Sequence, residues 1–359
     1  MKLGIGLYRH MLTPDNFQFA RQAGATHVIA HLTNYFQDTT KLPVADESGG
    51  NYGVSSGEPP WTFEQLRELR AQVNDAGLEL EAIENFDPAH WHDILLDGPL
   101  KAEHIDNIKL IIRNMGKVGI PIMGYNFSLA GVYGWTKGPW ARGDAIAVGY
   151  VEELAPPETP IPNGQIWNMT YNANAPVGVV SPVDEATMWA RLQDFLAQII
   201  PVAEEAGVRL AAHPDDPPLP VIRNTGRLIY RPERYQRLLD LVPSQNNALE
   251  FCVGAISEMD NSVMDIYQAI DSYSQQNKIG YIHLRNVRGK VPNYHEVFID
   301  EGDTDMFRVL EILKKNKFDG VIIPDHVPEM TCDASWHAGM AHALGWMKAA
   351  ITSLDRNQS

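Results

Sequence analysis

Four side chains that can bind a metal ion each stand at the end of an apolar, β-branched segment, and these segments follow one another along the chain. They are His213 in VRLAAH, Cys252 in NALEFC, His283 in IGYIHL and Asp325 in GVIIPD. Such segments are typical of buried parallel strands, whose neighbouring ends lie about 5 Å apart. Each residue alone is compatible with a structural role. Their repetition at four successive strand ends predicts a shared metal site with positions left open for a substrate.

The mixture of ligand types narrows the choice of metal without fixing it. Thiolate and imidazole ligands suit Zn²⁺, Fe²⁺ or Co²⁺, and a carboxylate with open positions also admits Mn²⁺. Mg²⁺ prefers oxygen ligands, so two nitrogens and a sulfur argue against it.

These four segments continue an alternation of strands and helices that runs along the whole chain. Four earlier strands are predicted at LGIGLY (3–8), THVIAHL (26–32), LELEAIE (78–84) and PIMGYNF (121–127). Thr13 is the predicted N-cap of the first helix, and Thr62 with Gln65 forms a predicted capping box for the second. Eight β/α units without a linker predict a (β/α)8 TIM barrel forming a single domain over residues 1–359. An open doubly wound sheet fits less well, because no Gly-rich phosphate loop follows the first strand.

Two long insertions, at about 37–60 and about 128–180, each follow a predicted strand. Loops that follow the strands of a TIM barrel lie at its C-terminal face, where active sites occur. We therefore expect both insertions to lie over the metal site, and the second is predicted to be irregular.

Composition excludes several classes of partner. The 359 residues carry a net charge of −16, which argues against nucleic acid or an anionic membrane surface as a partner. No segment approaches the roughly 18 consecutive apolar residues of a membrane span, and the N-terminus does not resemble a signal peptide. The two cysteines provide no disulfide framework, so we expect a cytoplasmic protein.

Several strings of the sequence resemble the D-mannonate dehydratases, the UxuA-type enzymes of hexuronate catabolism. The most specific is AAHPDDPPLP (211–220), and it is supported by FCVGA, YIHLRNV, YHEVFIDEGDTDM and IPDH in the same order. With RQAGATHVIAHL and YNFSLAGVYGWT, the resemblance covers nearly the whole chain. It implies a xylose-isomerase-like barrel that dehydrates D-mannonate to 2-keto-3-deoxy-D-gluconate. It also implies Mn²⁺ or Fe²⁺ as the usual metal, a homo-oligomer, and the same ligands, His213, Cys252, His283 and Asp325.

Dehydration of a sugar acid requires two proton transfers. A base removes the proton next to the carboxylate, and an acid protonates the hydroxyl that leaves the neighbouring carbon. The candidates for these transfers are His326, His295, Asp215 and Asp216. For the two aspartates the alternative is capping of the proline-rich turn, and we expect that role for one of them.

A second set of residues is predicted to bind the substrate. Arg285 lies two residues beyond His283, so its side chain is expected to point the same way and to pair with the substrate carboxylate. A structural salt bridge is the alternative role for Arg285. The other candidates for substrate binding are Asn126, Glu84, His31, Tyr8 and Trp135.

The sequence departs from the family pattern around the substrate rather than at the metal. The family string RPDHG reads IPDHV here, IGLYRHMLTPDN replaces a string like WRWYGPNDP, and Trp336 stands in place of a family tyrosine. These changes admit a dehydratase for a different aldonic acid, or a metal-dependent sugar or sugar-acid isomerase or epimerase on the same barrel. A barrel that only binds a sugar acid is disfavoured by the complete set of four ligands.

Overall fold

The computed structural model describes residues 1–35 and 58–356. Eight parallel strands form a closed barrel, in which each strand pairs with its neighbours in sequence and the last pairs with the first. Numbered β1–β8 in chain order, they are Lys2–Leu7, His27–Ala30, Glu79–Glu84, Ile122–Tyr125, Arg209–Ala212, Asn247–Cys252, Ile279–His283 and Val321–Ile323. Each strand overlaps one predicted segment, so the predicted TIM barrel is confirmed.

Ten α-helices, α1–α10, lie within the described ranges. They are Pro14–Gln22, Phe63–Asp75, Pro88–Leu96, Lys101–Val118, Glu185–Ala206, Arg234–Leu241, Val253–Glu258, Ile266–Gln275, Met306–Lys315 and Ser335–Arg356. The predicted N-terminal caps are present: Thr13 accepts a hydrogen bond from the backbone of Asn16, and Thr62 and Gln65 bond each other reciprocally. Helices α3 and α7 were not predicted, since both are short and lie close to a strand end.

The apolar core has two parts. The larger part packs the helices against the outside of the barrel, and a smaller cluster that includes Ile29, Ile122 and Val321 fills its interior. Higher in the interior the packing becomes polar, where Gly124 on β4 leaves room. A Cβ at Gly124 would lie 2.2 Å from the hydroxyl of Tyr281 and 2.4 Å from Glu250 Oε2, so no larger residue fits without displacing them.

A four-stranded antiparallel sheet lies beside the C-terminal end of the barrel, and we call it the cover sheet. Its strands, in spatial order, are Asn286–Lys290, Asn293–Val297, Ala145–Val151 and Trp135–Ala141. Two come from the insertion after β4, and the other two form a hairpin after β7. The second insertion is therefore not irregular as predicted, because its strands find partners in a distant part of the chain. The insertion predicted at about 37–60 lies, up to residue 57, outside the described residues, and the single-domain organisation stays a prediction.

Two buried arginines attach this insertion to the loop after β5. Arg223 donates hydrogen bonds to the carbonyl of Thr159 at 2.8 Å and to Asn168 Oδ1 at 2.8 Å. Arg227 donates to the carbonyl of Gly131 at 2.8 Å. Charged donors make stronger hydrogen bonds than neutral ones, so the insertion is held firmly against the barrel.

Candidate active site

The side chains of His213, Cys252 and His283 lie together at the ends of β5, β6 and β7. One ligand atom of each lies within 4.8 Å of the ligand atoms of the other two. Asp325, two residues beyond β8, joins them. Its Oδ1 lies 3.6 Å from His283 Nδ1, and its Oδ2 lies 3.7 Å from Cys252 Sγ. The structure thus brings the four predicted metal ligands to one point.

Each of the two histidines donates a hydrogen bond from one ring nitrogen, which leaves the other nitrogen for a metal. His213 Nδ1 donates to the carbonyl of Pro214 at 2.6 Å, so Nε2 keeps its lone pair. Burial lowers the pKa of His213 to about 4, which keeps the ring neutral. His283 Nε2 donates to Glu84 Oε2 at 3.2 Å. Its buried Nδ1, on the side of Asp325, has no hydrogen-bond partner among the described residues.

The surrounding charges favour a cation at this point. Burial alone would lower the pKa of His283, but Asp325 and Glu84 raise it well above its usual value. These acids therefore favour a positive charge beside Nδ1, which a divalent cation supplies as well as a proton does. Burial raises the pKa of the Cys252 thiol to about 11, so its thiolate requires such a charge. The nitrogen, sulfur and carboxylate donors fit a transition metal ion.

Two buried acids support His283 from inside the barrel. Glu84 Oε2 accepts a hydrogen bond from the Tyr281 hydroxyl at 3.1 Å as well as from His283. Glu250 is fully buried, and its Oε1 lies 3.3 Å from His283 Nε2. Burial and the nearby Glu84 raise the pKa of Glu250 well above its usual value, which favours its neutral form. Glu84, predicted to bind substrate, therefore orients His283, a predicted metal ligand.

The two aspartates after His213 have different surroundings. Asp215 accepts three hydrogen bonds, from Arg227 Nε at 2.6 Å and from the backbone of Leu228 at 2.8 Å and Ile229 at 2.7 Å. These bonds make Asp215 the turn-capping residue, so its predicted catalytic role is withdrawn.

Asp216 lines the cavity beside the four predicted metal ligands. Its oxygens accept from the Tyr294 hydroxyl at 2.7 Å, Trp135 Nε1 at 3.2 Å and Arg285 Nη2 at 2.8 Å. Burial would raise the pKa of Asp216, but Arg285 outweighs burial and lowers it. Asp216 is thus a charged, fully bonded carboxylate, suited to positioning its neighbours rather than to transferring a proton.

Arg285 does not lie where the prediction required. The residue is 2% exposed and lies outside the cavity lining, and its guanidinium contacts the protein's own carboxylates. Nη2 lies 3.1 Å from Glu258 Oε1, in addition to its bond with Asp216, and Nη1 donates to Glu296. A Cβ at Gly254 would lie 2.2 Å from Nε, so this glycine makes the packing possible. The structural salt bridge is the role this geometry supports, because these donors are already paired.

His326 lines the cavity next to Asp325, with its Nε2 3.5 Å from Asp325 Oδ1. Its Nδ1 lies 2.8 Å from Oε1 of Glu296, a residue that the sequence did not predict for the site.

His295, the predicted candidate, lies on the cover sheet next to Trp140 and does not line the cavity, so its predicted role is withdrawn. Successive residues of a strand face opposite sides. That alternation was a signal that His295 and Glu296 could not both face the site.

The cavity above the four predicted metal ligands has a volume of about 160 Å³, enough for a small organic acid in place of several waters. Tyrosine and tryptophan side chains form part of its wall. The lining includes the predicted Tyr8, His31, Asn126 and Trp135, Trp336 at the position of the family tyrosine, and the unpredicted Tyr35, Trp167 and Met340. Asn126 Nδ2 donates to the carbonyl of Pro214 at 3.1 Å, while its buried Oδ1 has no protein partner in the described part of the chain. Among the described lining residues there is no lysine or arginine.

A second cluster of similar residue types lies outside the barrel, and we call it the outer cluster. It consists of His92 and Asp93 on α3 and His104 on α4, whose ligand atoms also lie within 4.8 Å of one another. His92 Nδ1 donates to the carbonyl of Pro88 at 2.8 Å, and His104 Nδ1 accepts from the backbone of Asp93 at 3.1 Å. The carboxylate of Asp93 accepts from the backbone of Leu100 at 2.8 Å.

Among the described residues, no helix combines the length and the apolar character that a membrane span requires.

Comparison with known proteins agrees with the geometry. The sequence pattern of the family described as D-mannonate dehydratase (UxuA) matches residues 19–145 and 159–351. Mannonate dehydratases of Streptococcus pneumoniae (strain 70585) and Streptococcus suis (strain 05ZYH33) are 34% and 33% identical to the chain. Each match covers 77% of this chain and 76% of the relative.

Solved structures give the same result. The crystal structure of mannonate dehydratase from S. suis serotype 2 superposes with a TM-score of 0.77 at 27% identity, covering 100% of this chain and 94% of that one. An L-ribulose 3-epimerase structure, at 14% identity and a TM-score of 0.57 over 99% of this chain and 96% of its own, shares the fold alone. The chain therefore belongs to the D-mannonate dehydratase (UxuA) family of sugar-acid dehydratases, and it is a hydro-lyase.

Proposed function

We propose that this enzyme dehydrates D-mannonate to 2-keto-3-deoxy-D-gluconate, using one divalent transition metal ion held by His213, Cys252, His283 and Asp325. The observation that carries the proposal is the convergence of these four ligands below a cavity lined by His326. Mn²⁺ or Fe²⁺ is the expected ion, and Zn²⁺ or Co²⁺ also suits these ligands. When bound, the ion would stabilise the negative charge that develops next to the substrate carboxylate.

The protein's own residues supply the proton transfers in this proposal. His326 presents Nε2 towards the ligand Asp325 and acts as the base or acid nearest to the metal. His31 lies on another part of the cavity wall, with its Nδ1 3.4 Å from the Tyr35 hydroxyl and its ring centroid 4.9 Å from that of Tyr8. We assign the second proton transfer to His31, because both remaining candidates of the sequence analysis, Asp215 and Asp216, are held by hydrogen bonds.

The sugar-acid substrate is expected to bind in the same cavity. With no lysine or arginine among the described lining residues, the metal ion would supply the positive charge for the substrate carboxylate, and imidazole N–H groups could donate hydrogen bonds to it. Asn126 Oδ1 is placed to accept a hydrogen bond from a substrate hydroxyl.

One observation favours a different aldonic acid as the second candidate substrate. Trp336 lines the cavity where the family has a tyrosine. Its indole is larger than the phenol of tyrosine and has no hydroxyl. The homo-oligomer and the cytoplasmic location expected from the sequence stay predictions.

Metal analysis together with a panel of aldonic acids tests the function. We expect about one transition metal ion per chain and formation of a 2-keto-3-deoxy acid from D-mannonate. The Cys252→Ala variant should lose both, while Cys332→Ala, at the exposed second cysteine, should keep both. An isomerised sugar acid as product would favour an isomerase or epimerase. Stoichiometric metal in Cys252→Ala would contradict the ligand assignment.

A further inference from the structure

Glu296 reaches the site from the cover sheet. It lies on the strand Asn293–Val297, where it pairs with Val287 of the neighbouring strand, and it is 2% exposed. Its Oε1 lies 2.8 Å from His326 Nδ1 and also accepts a hydrogen bond from Arg285 Nη1. The carboxylate therefore touches the proposed proton-transfer residue on the side of the ring away from Nε2.

This contact decides which nitrogen of His326 carries the proton. A carboxylate oxygen can only accept, so a lone pair on Nδ1 at 2.8 Å would face another lone pair. A proton on Nδ1 instead makes a charge-assisted hydrogen bond. Nε2 is then left with its lone pair at the cavity, where Asp325 Oδ1 lies 3.5 Å away. That separation is beyond the usual hydrogen-bond distance, so the shorter contact of Nδ1 with Glu296 outweighs it. Arg285 Nη1 also lies 3.2 Å from Nδ1, and it would favour the opposite tautomer if Glu296 were absent.

Contacts with Trp135 also fix the plane of the His326 ring. Trp135 packs edge-on against His326, with ring centroids 5.1 Å apart and planes at 86°. The indole is itself held by the hydrogen bonds of its Nε1 to Asp216 at 3.2 Å and to the Tyr294 hydroxyl at 3.2 Å.

A purely structural role for Glu296 would be to neutralise Arg285. However, Asp216 and Glu258 lie 2.8 Å and 3.1 Å from the same guanidinium. Arg285 therefore has carboxylate partners without Glu296, whereas His326 Nδ1 has one carboxylate within hydrogen-bond distance among the described residues.

We propose that Glu296 is a positioning residue that holds His326 as the Nδ1–H tautomer and presents its Nε2 to the substrate. The proposal rests on the proposed function for the role of Nε2, although the tautomer can be measured without any substrate. The arrangement joins a strand of the cover sheet to the proton-transfer step in the barrel.

Nitrogen-15 NMR of histidine-labelled, zinc-loaded protein tests the tautomer directly. At alkaline pH, where the ring is neutral, we expect a proton on Nδ1 of His326, with the signal assigned by its loss in His326→Gln. In Glu296→Ala, Arg285 becomes the neighbour of Nδ1, and the proton should move to Nε2. Glu296→Gln should retain the wild-type tautomer, because Arg285 holds the amide oxygen towards the ring. An Nε2–H ring in the wild-type protein would overturn the proposal.

Kinetics provide the second readout. Glu296→Ala should lower kcat about 10- to 100-fold with little change in KM and with the metal content unchanged, and Glu296→Gln should recover part of the loss. Glu258→Gln is the matched control, since it removes a buried carboxylate from the same guanidinium and leaves the bond to His326 intact. Equal losses in the two Gln variants would reduce Glu296 to a structural partner of Arg285. If the wild-type protein does not dehydrate any acid of the panel, the proposed function fails, while the NMR result still decides the tautomer.

Discussion

The four predicted ligands at the C-terminal end of the barrel, which we call the tip, and the outer cluster contain nearly the same residue types. They differ in whether their imidazole nitrogens keep a lone pair for a metal ion. At the tip, His213 and His283 bond through one ring nitrogen and leave the other towards Cys252 and Asp325. In the outer cluster, the backbone N–H of Asp93 occupies His104 Nδ1. A metal on Nε2 of His104 would require a proton on Nδ1, facing that N–H. Proximity of ligand atoms is therefore not enough for a metal site; the remaining hydrogen bonds must leave lone pairs available.

The sharpest test of this comparison removes one histidine from each group. His213→Ala should lose the bound metal and at least about 100-fold of the dehydratase activity, because a ligand contributes no less than the partners that orient it. His104→Ala should keep stoichiometric metal and most of the activity. Metal analysis and steady-state rates check both. Loss of metal from His104→Ala with retention in His213→Ala would reverse the assignment of the two groups.

Removal of the metal should have the next largest effect. A chelator should lower the free energy of unfolding by about 2.7 kcal/mol if the ion was present at 100 times its Kd. The reason is that binding to the folded state alone stabilises it. Calorimetry should show the same decrease in Tm for a His92→Gln variant, which leaves the tip intact. The His283→Ala variant should show no response to the chelator, and a full response there would place the metal elsewhere.

The smallest expected effect is a pH dependence of the free energy of unfolding, caused by His104 of the outer cluster. Burial, then the nearby His92, lower the pKa of His104 to about 4, and Asp93 only partly opposes this. The unfolded chain, with an ordinary histidine pKa near 6.5, therefore binds more protons between about pH 6.5 and 4. The stability present above pH 6.5 should fall as the pH is lowered through that window, by about 1–2 kcal/mol.

Urea unfolding across that window checks the pH dependence, with His104→Gln as the control. Glutamine can accept the hydrogen bond from Asp93 and does not titrate, so its curve should be flatter. An unchanged slope in His104→Gln would assign the pH dependence to other groups.

The sequence predicted the barrel well because the patterns that indicate each strand and helix lie within that element's own residues. Alternating apolar runs and capped helices, such as those beginning after Thr13 and Thr62, specify each β/α unit from its own residues. The strand ends then bring His213, Cys252, His283 and Asp325 together by the symmetry of the barrel. Position along a strand was enough to place them.

The surroundings of the metal group depend on contacts that no local pattern contains. The cover sheet pairs residues near 145–151 with residues near 293–297, so Glu296 and Tyr294 reach the site through long-range pairing. Arg285 was predicted from the direction of its side chain alone. Its burial depends on Asp216, Glu258 and Glu296, which arrive from three different segments.

The pairing register of the hairpin that carries Glu296 decides which of its side chains reaches the site. Arg288 pairs with His295 and Val287 with Glu296, while Asn293 Oδ1 accepts a hydrogen bond from the backbone of Glu152 at 3.0 Å. A slip of one residue would turn the carboxylate outward and place His295 at the ring of His326, because strand faces alternate. A single inserted or deleted residue in the turn near 291–292 would therefore erase the support of His326 while every residue of the barrel remained in place. Under the proposed function, the proton transfer by His326 would thus depend on the length of a turn on the surface of the protein.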